Sequence, residues 1–115
     1  MTTEAEQFIA DHVTALLARD LDRAMADYDD ASVFRMGGQV LTGADAIGAH
    51  IRGQMANTTG PINMDREIAT APDGRVVMHW NLRAEPGGPA VMSGVDYFAV
   101  ANGVITDQEV LHEDH

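Results

Sequence analysis

The sequence predicts an α+β fold in which three helices cover the concave face of a curved antiparallel sheet. Two observations carry this. Up to about residue 57 the apolar residues recur at helical spacing, and from residue 60 onward they alternate with polar ones. The alternating half is cut by three turn-forming stretches, "PDG" at 72–74, "PGGP" at 86–89 and "ANG" at 101–103, so its strands are long and follow one another as a meander.

The first helix is expected from Thr3 to Ala18, because Phe8, Ile9, Val13, Leu16 and Leu17 fall on one face. Thr3 and Glu6 have the spacing of a capping box. A second, short helix opens after Asp20, whose side chain can cap it, and runs to about Tyr28. "ASVFRMGG" is a short strand ending in glycines, and "GGQVLTG" reads as a turn between elements. "TGADAIGAHIRGQMAN" is a third helix with Ala46, Ile47, Ile51 and Met55 inward. Four strands follow: "INMDREIATA", "RVVMHWNLRAE", "AVMSGVDYFAV" and "VITDQEVLHED". In the second of these, Val76, Met78, Trp80 and Leu82 form the core row. Val77, His79, Asn81 and Arg83 form the outer row.

The chain has 115 residues, enough for one domain over 1–115 with a core of its own. It has no cysteine, which excludes disulfides and thiolate chemistry. A net charge of -11 argues against nucleic acid and anionic membranes as partners, and the acidity reads as solubility. "MTTEAEQF" lacks the basic region of a signal peptide, and no apolar run approaches membrane-spanning length, so a cytoplasmic protein is expected. No phosphate loop, dinucleotide fingerprint or nucleophile elbow is present, and no cofactor is expected. "HEDH" at 112–115 has a metal-like spacing, but no separated third ligand cluster accompanies it, so no metal is expected.

One stretch breaks its own pattern. In "SGVDYFAVANG", Asp96 shares a strand face with Met92, Gly94, Phe98 and Val100. A buried carboxylate without a partner is costly. Either the group stays neutral and donates a hydrogen bond, or it is ionised and meets a cation.

Three stretches resemble the nuclear transport factor 2-like superfamily, which includes ketosteroid isomerase, SnoaL-type polyketide cyclases and scytalone dehydratase. "LLARDLDRAMADYDDASVF" is similar to its helix–helix–strand opening. "LTGADAIGAHI" is similar to its glycine and third helix. "GVDYFAVANGVITDQEVL" is similar to its last hairpin. The resemblance implies a cystatin-like cone: a strongly bent antiparallel or mixed sheet wrapped around a long N-terminal helix, with two further helices and a pocket at the open end. It also implies a homodimer formed through the outer sheet face.

The resemblance puts Asp96 at the position of the isomerase's protonated aspartic acid, which donates to the oxyanion. It puts His12, on the inward face of the first helix with Phe8 and Leu16, where the isomerase has its oxyanion-binding tyrosine. A histidine there can also move a proton. Arg35 departs from the family: it occupies the slot of the catalytic aspartate base and cannot act as a base. Facing inward, it would pair with Asp96 or hold an anionic group of a substrate. His112 shares a face with Thr106, Gln108 and Val110 at positions that line the isomerase pocket. Trp80 is expected as an apolar wall and Tyr28 near the mouth. Together these imply acid–base chemistry without a cofactor on an apolar, oxygenated small molecule, by isomerisation, cyclisation or dehydration. The other reading is a non-catalytic binding or dimeric assembly protein of the same fold.

Overall fold

A computed structural model describes residues 2–58, 60 and 62–113. Its elements in chain order are α1 (Glu4–Leu17), α2 (Leu21–Met25), β1 (Val33–Met36), β2 (Gln39–Thr42), α3 (Ala44–Ala56), β3 (Asn63–Thr70), β4 (Val76–Arg83), β5 (Ala90–Ala101) and β6 (Val104–Glu113). The strands form one curled, unclosed mixed sheet in the order β2-β1-β6-β5-β4-β3. Every pairing is antiparallel except that of β1 with β6. No helix among the described residues is long and apolar enough to cross a membrane.

The helix starts follow local chemistry. Thr3 and Glu6 form the reciprocal capping box of α1, and the Asp20 side chain accepts from the Arg23 N–H at the start of α2. That second helix is shorter than expected. Past Met25 the backbone tightens into i→i−3 bonds, Asp27 N–H to Ala24 and Tyr28 N–H to Met25, and the turn leads Asp27 and Tyr28 out of the helix. On α3 the inward residues are Ile47, Gly48 and Ile51, with Ala44 and Met55 packed beside them. Ala46 is exposed, contrary to expectation, because the i, i+3, i+4, i+7 stripe that starts at Ala44 excludes it.

The stretch "GGQVLTG" is more than a turn: it carries β2. Gly37 and Gly38 both have positive φ, 57° and 82°, and close a tight hairpin that returns Gln39–Thr42 along β1. This strand is an exposed edge with only Leu41 partly buried, so it carries no alternating signal. A second correction concerns Thr106. The β5–β6 register shifts between Ala99 and Val100, so that Asp107 pairs with Ala99 and Ile105 with Val100. Thr106 is the extra residue, turned outward, while Ile105 on one side of it and Gln108 on the other are buried.

The inner rows of β4 and β5 meet the helices. Val76, Met78 and Trp80 are buried against Ile9, Val13, Ile51 and Phe98. Trp80 pairs directly with Gly94 across the two strands. A Cβ on Gly94 would lie 2.4 Å from Cζ2 of the indole and 2.8 Å from the Leu111 carbonyl oxygen. The missing side chain is therefore the space in which the indole lies. Gly94→Ala is expected to cost about 1–3 kcal/mol through overpacking and to shift the indole. Trp80 is the sole tryptophan, so its fluorescence reports the displacement during urea unfolding. An unchanged spectrum and midpoint would show that the contact can relax freely.

Candidate functional site

A cavity of about 460 Å³ lies between α1, α3 and the inner face of the sheet. Its walls are largely apolar, and five methionines contribute to them: Met36, Met55, Met64, Met78 and Met92. Thioether side chains fill irregular space and adapt to a ligand's outline. Of its polar lining residues, Tyr28, Gln108 and Asp96 are joined by hydrogen bonds, His112 lies against Trp80, and Gln54, Asn57 and Thr58 come from the end of α3 and the residues after it. No lysine or arginine lines the cavity among the described residues.

Asp96 on β5 is 7 % exposed. Its Oδ1 accepts from the Trp80 indole N–H at 2.9 Å, and its Oδ2 accepts from the Gln108 side-chain amide at 3.1 Å. Burial pushes the carboxyl above the ordinary aspartate range, against the downward pull of these two hydrogen bonds and of the fields of His112 and His12. Trp80 and Gln108 are thus polar supports as well as walls. Each donates to one oxygen of the Asp96 carboxyl, which itself lines the cavity.

Arg35 is not the partner of Asp96. Phe34 and Met36 take the inward positions of β1, so by period two Arg35 points outward. Its guanidinium is half exposed and donates to Asp107 Oδ2 at 2.9 Å on the outer side of the sheet. Turning it inward would exchange water for an apolar wall and bury Phe34 and Met36 less well.

His12 is fully buried, at 0 % exposure, but it does not reach the cavity wall. It stands behind Tyr28. Its Nδ1 lies 2.9 Å from Asp27 Oδ2, and its Nε2 lies 3.3 Å from the Tyr28 hydroxyl. Tyr28, expected near the mouth, is instead the group of this pair that lines the cavity. Its hydroxyl donates to Gln108 Oε1 at 2.5 Å. Burial, with the nearby Asp96 and Asp27 charges, raises this phenol well above its ordinary value, so it keeps its proton.

Asp27 is the site residue that sequence reasoning missed. It is buried and also accepts from Arg23, whose Nη1 donates to both carboxylate oxygens, at 2.8 Å to Oδ1 and 2.9 Å to Oδ2. Burial pushes its carboxyl upward, but the hydrogen bonds from His12 and Arg23 outweigh that, and it titrates below the ordinary aspartate value. The signal was present as the acidic run "ADYDD", in which nothing distinguishes Asp27 from its neighbours. His112 sits at the rim, exposed, with its ring edge-on to Trp80 at a centroid distance of 5.8 Å. Of the "HEDH" stretch, Asp114 and His115 lie outside the described residues.

The two buried carboxyls act on stability in opposite directions. Asp27, depressed in the fold, contributes stability that is present above the ordinary aspartate range and lost as pH falls through its depressed value. Asp96, raised in the fold, favours the native state in acid, and that contribution is lost as pH rises from the ordinary range through its raised value. Asp96→Asn is therefore expected to flatten the stability loss on the rising side. Urea unfolding of both proteins between pH 4 and 8, on the order of the range in which such carboxyls titrate, checks this. Parallel curves would contradict it.

Comparison with known proteins agrees with this architecture. The profile of the SnoaL-like domain family matches residues 9–108. Among curated proteins, none matches the chain in sequence. Among solved structures, Bal32a from a soil-derived mobile gene cassette superposes with a TM-score of 0.79 at 21% identity, covering 97% of this chain and 93% of that one. A candidate SnoaL-like polyketide cyclase from Shewanella putrefaciens CN-32 gives 0.76 at 16% identity, covering 97% and 91%. A candidate isomerase from Bacillus subtilis gives 0.74 at 16% identity, covering 95% and 86%. At such identities these structures establish the shared fold.

Proposed function

The chain belongs to the SnoaL-like domain family, with a nuclear transport factor 2-like fold, and we propose that it performs cofactor-independent acid–base chemistry on an uncharged, apolar molecule that carries an oxygen. The observation that carries this reading is Asp96: a buried carboxyl at an apolar cavity, both oxygens already accepting from the protein, and no Lys or Arg among the described residues lining the cavity. A neutral carboxyl so placed can give a hydrogen bond or a proton to a ligand oxygen as negative charge develops there. His112 is the imidazole on the lining and serves as the group that takes or returns a proton at the neighbouring carbon. The methionine walls exclude water and hold the hydrocarbon part. Isomerisation, cyclisation and dehydration all fit this pair of roles. The absence of Lys and Arg from the described lining favours neutral over anionic ligands.

The test is proton exchange. Neutral bicyclic ketones incubated with catalytic protein in D2O are expected to exchange the proton next to the carbonyl, followed by NMR, and His112→Ala is expected to slow it. Their carboxylate analogues are expected not to bind. Ketones that bind with no exchange would support the second reading, a non-catalytic carrier. One observation favours that alternative: the base assigned here is exposed at the rim rather than held within the cavity.

The same reading includes a homodimer through the outer faces of β4 and β5. Outward residues there include Val77, His79 and Arg83, and Val91 beside them is 59 % exposed. Val91 and, next to Val95 on β6, the 49 % exposed Leu111 leave apolar surface that pairing would cover. Light scattering at micromolar protein should give twice the chain mass, and a monomer mass would dismiss the dimer.

A further inference from the structure

Five buried side chains stand in a row from α1 to the cavity: Asp27, His12, Tyr28, Gln108 and Asp96. Their hydrogen bonds have a direction that a proton count fixes. Asp27, ionised, can only accept, so His12 Nδ1 carries a proton. Gln108 gives its amide N–H to Asp96 and therefore turns Oε1 toward Tyr28. Tyr28 has one hydroxyl proton and gives it to Gln108. Its oxygen then faces His12 Nε2 with lone pairs only. The row is complete when Nε2 carries a proton as well.

We propose that Asp27 and His12 are positioning residues that decide where Asp96 directs its proton, acting through Tyr28 and the Gln108 amide. With both His12 nitrogens protonated, Nδ1–H is held by Asp27 and the three bonds from Nε2 onward all point toward Asp96. Gln108 and Trp80 then both donate to the carboxyl, and its own proton is left for a ligand oxygen in the cavity. When Nε2 loses its proton to solvent, the order reverses. Tyr28 turns its hydroxyl to Nε2, and the Gln108 amide turns over to give N–H to the Tyr28 oxygen. Gln108 Oε1 now faces Asp96 and takes the hydrogen bond from its proton. One proton has left, no other bond to hydrogen has broken, and Asp96 no longer offers a donor to the cavity. This rests on the reading of Asp96 as a donor; the coupling within the row can be measured without any ligand.

The groups that face His12 are Asp27 and Tyr28 from the segment after α2 and the Phe98 ring from β5, with Arg23 acting through Asp27. Asp96 faces Trp80 on β4 and Gln108 on β6 and feels His112 and His12. His112 lies on the other side of Trp80 and is outside the row. The field of His112 therefore shifts Asp96 directly but does not turn Gln108.

Solution NMR of labelled, ligand-free protein tests this. The His12 ring nitrogens, the Gln108 side-chain amide and the Asp96 carboxyl carbon are followed against pH. A doubly protonated His12 is expected at the acidic end. As Nε2 loses its proton, Gln108 and Asp96 are expected to show an inflection at the same pH. Tyr28→Phe should remove that inflection from Gln108 and leave at Asp96 only the smaller direct effect of the His12 charge, while the His12 signals still change with pH. Asp27→Asn should move it, in all three signals together, to lower pH, as loss of an adjacent opposite charge does. A His12 ring with bare Nε2 at the acidic end would overturn the proposal. So would wild-type Gln108 and Asp96 signals that pass through the His12 transition unchanged. Failure of ketone exchange with the shared inflection intact would instead count against the catalytic reading alone.

Discussion

Asp96→Asn is expected to lower turnover of a bound ketone about a hundredfold or more, the usual loss for one positioned donor at developing charge. The variant keeps the size of the side chain and removes the acid. Its amide can still accept from either Trp80 or Gln108, but its NH2 group then opposes the other donor. A moderate change in folding stability accompanies the loss of activity and has to be separated from it. The separation comes from measuring kcat/KM and the unfolding midpoint on the same preparations. If the midpoint falls sharply while the rate is unaltered, Asp96 is a structural carboxyl and the catalytic reading fails. His12→Ala gives the contrast. Its ring does not reach the cavity wall, so its removal is expected to act first on stability, and on the ligand only through Tyr28.

Asp27→Ala is expected to destabilise the fold by about 3 kcal/mol, in the range for removing one partner of a buried pair. The carboxylate is buried, and its partner His12 is fully so. Without Asp27 the imidazole keeps a buried N–H with no acceptor, the costly half of a broken hydrogen bond. Arg23, by contrast, is about half exposed and can turn to water. Arg23→Ala is therefore expected to cost less than about 1 kcal/mol. Urea unfolding near neutral pH compares the two variants. The Asp27 loss should shrink in acid, where the wild-type carboxyl is itself protonated and its stabilising contribution is gone. Equal losses for Asp27→Ala and Arg23→Ala would show that the surface pair, not the buried one, carries the energy.

Much of the architecture is local and was open to reading from sequence. The capping box of α1, the Asp20 cap of α2 and the asparagine–glycine turn before β6 depend on residues within a few positions of one another. The alternation along β4 and β5 identified Val76, Met78, Trp80, Asp96 and Phe98 as inward, because period two is a property of one strand. It failed where a second chain segment entered. In the four residues of β1 the apolar side chains Val33, Phe34 and Met36 occupy both faces, so the pattern cannot say which way Arg35 points; the packing of Phe34 and Met36 decides. In β6 the bulge at Thr106 comes from pairing with β5.

The site divides in the same way. The sequence alone determined that a carboxyl faces the core, since its strand neighbours on that face are apolar. What that carboxyl meets was decided by tertiary structure. Trp80 and Asp96 are brought together by the β4–β5 register, Tyr28 and Gln108 by a contact across eighty positions, and His12 and Asp27 by the turn that ends α2. Hydrogen bonds act over about 3 Å, and no periodicity within a segment reports which side chain of another segment arrives at that distance. Arg35 lost its expected partner and Asp27 gained an unexpected one for that single reason.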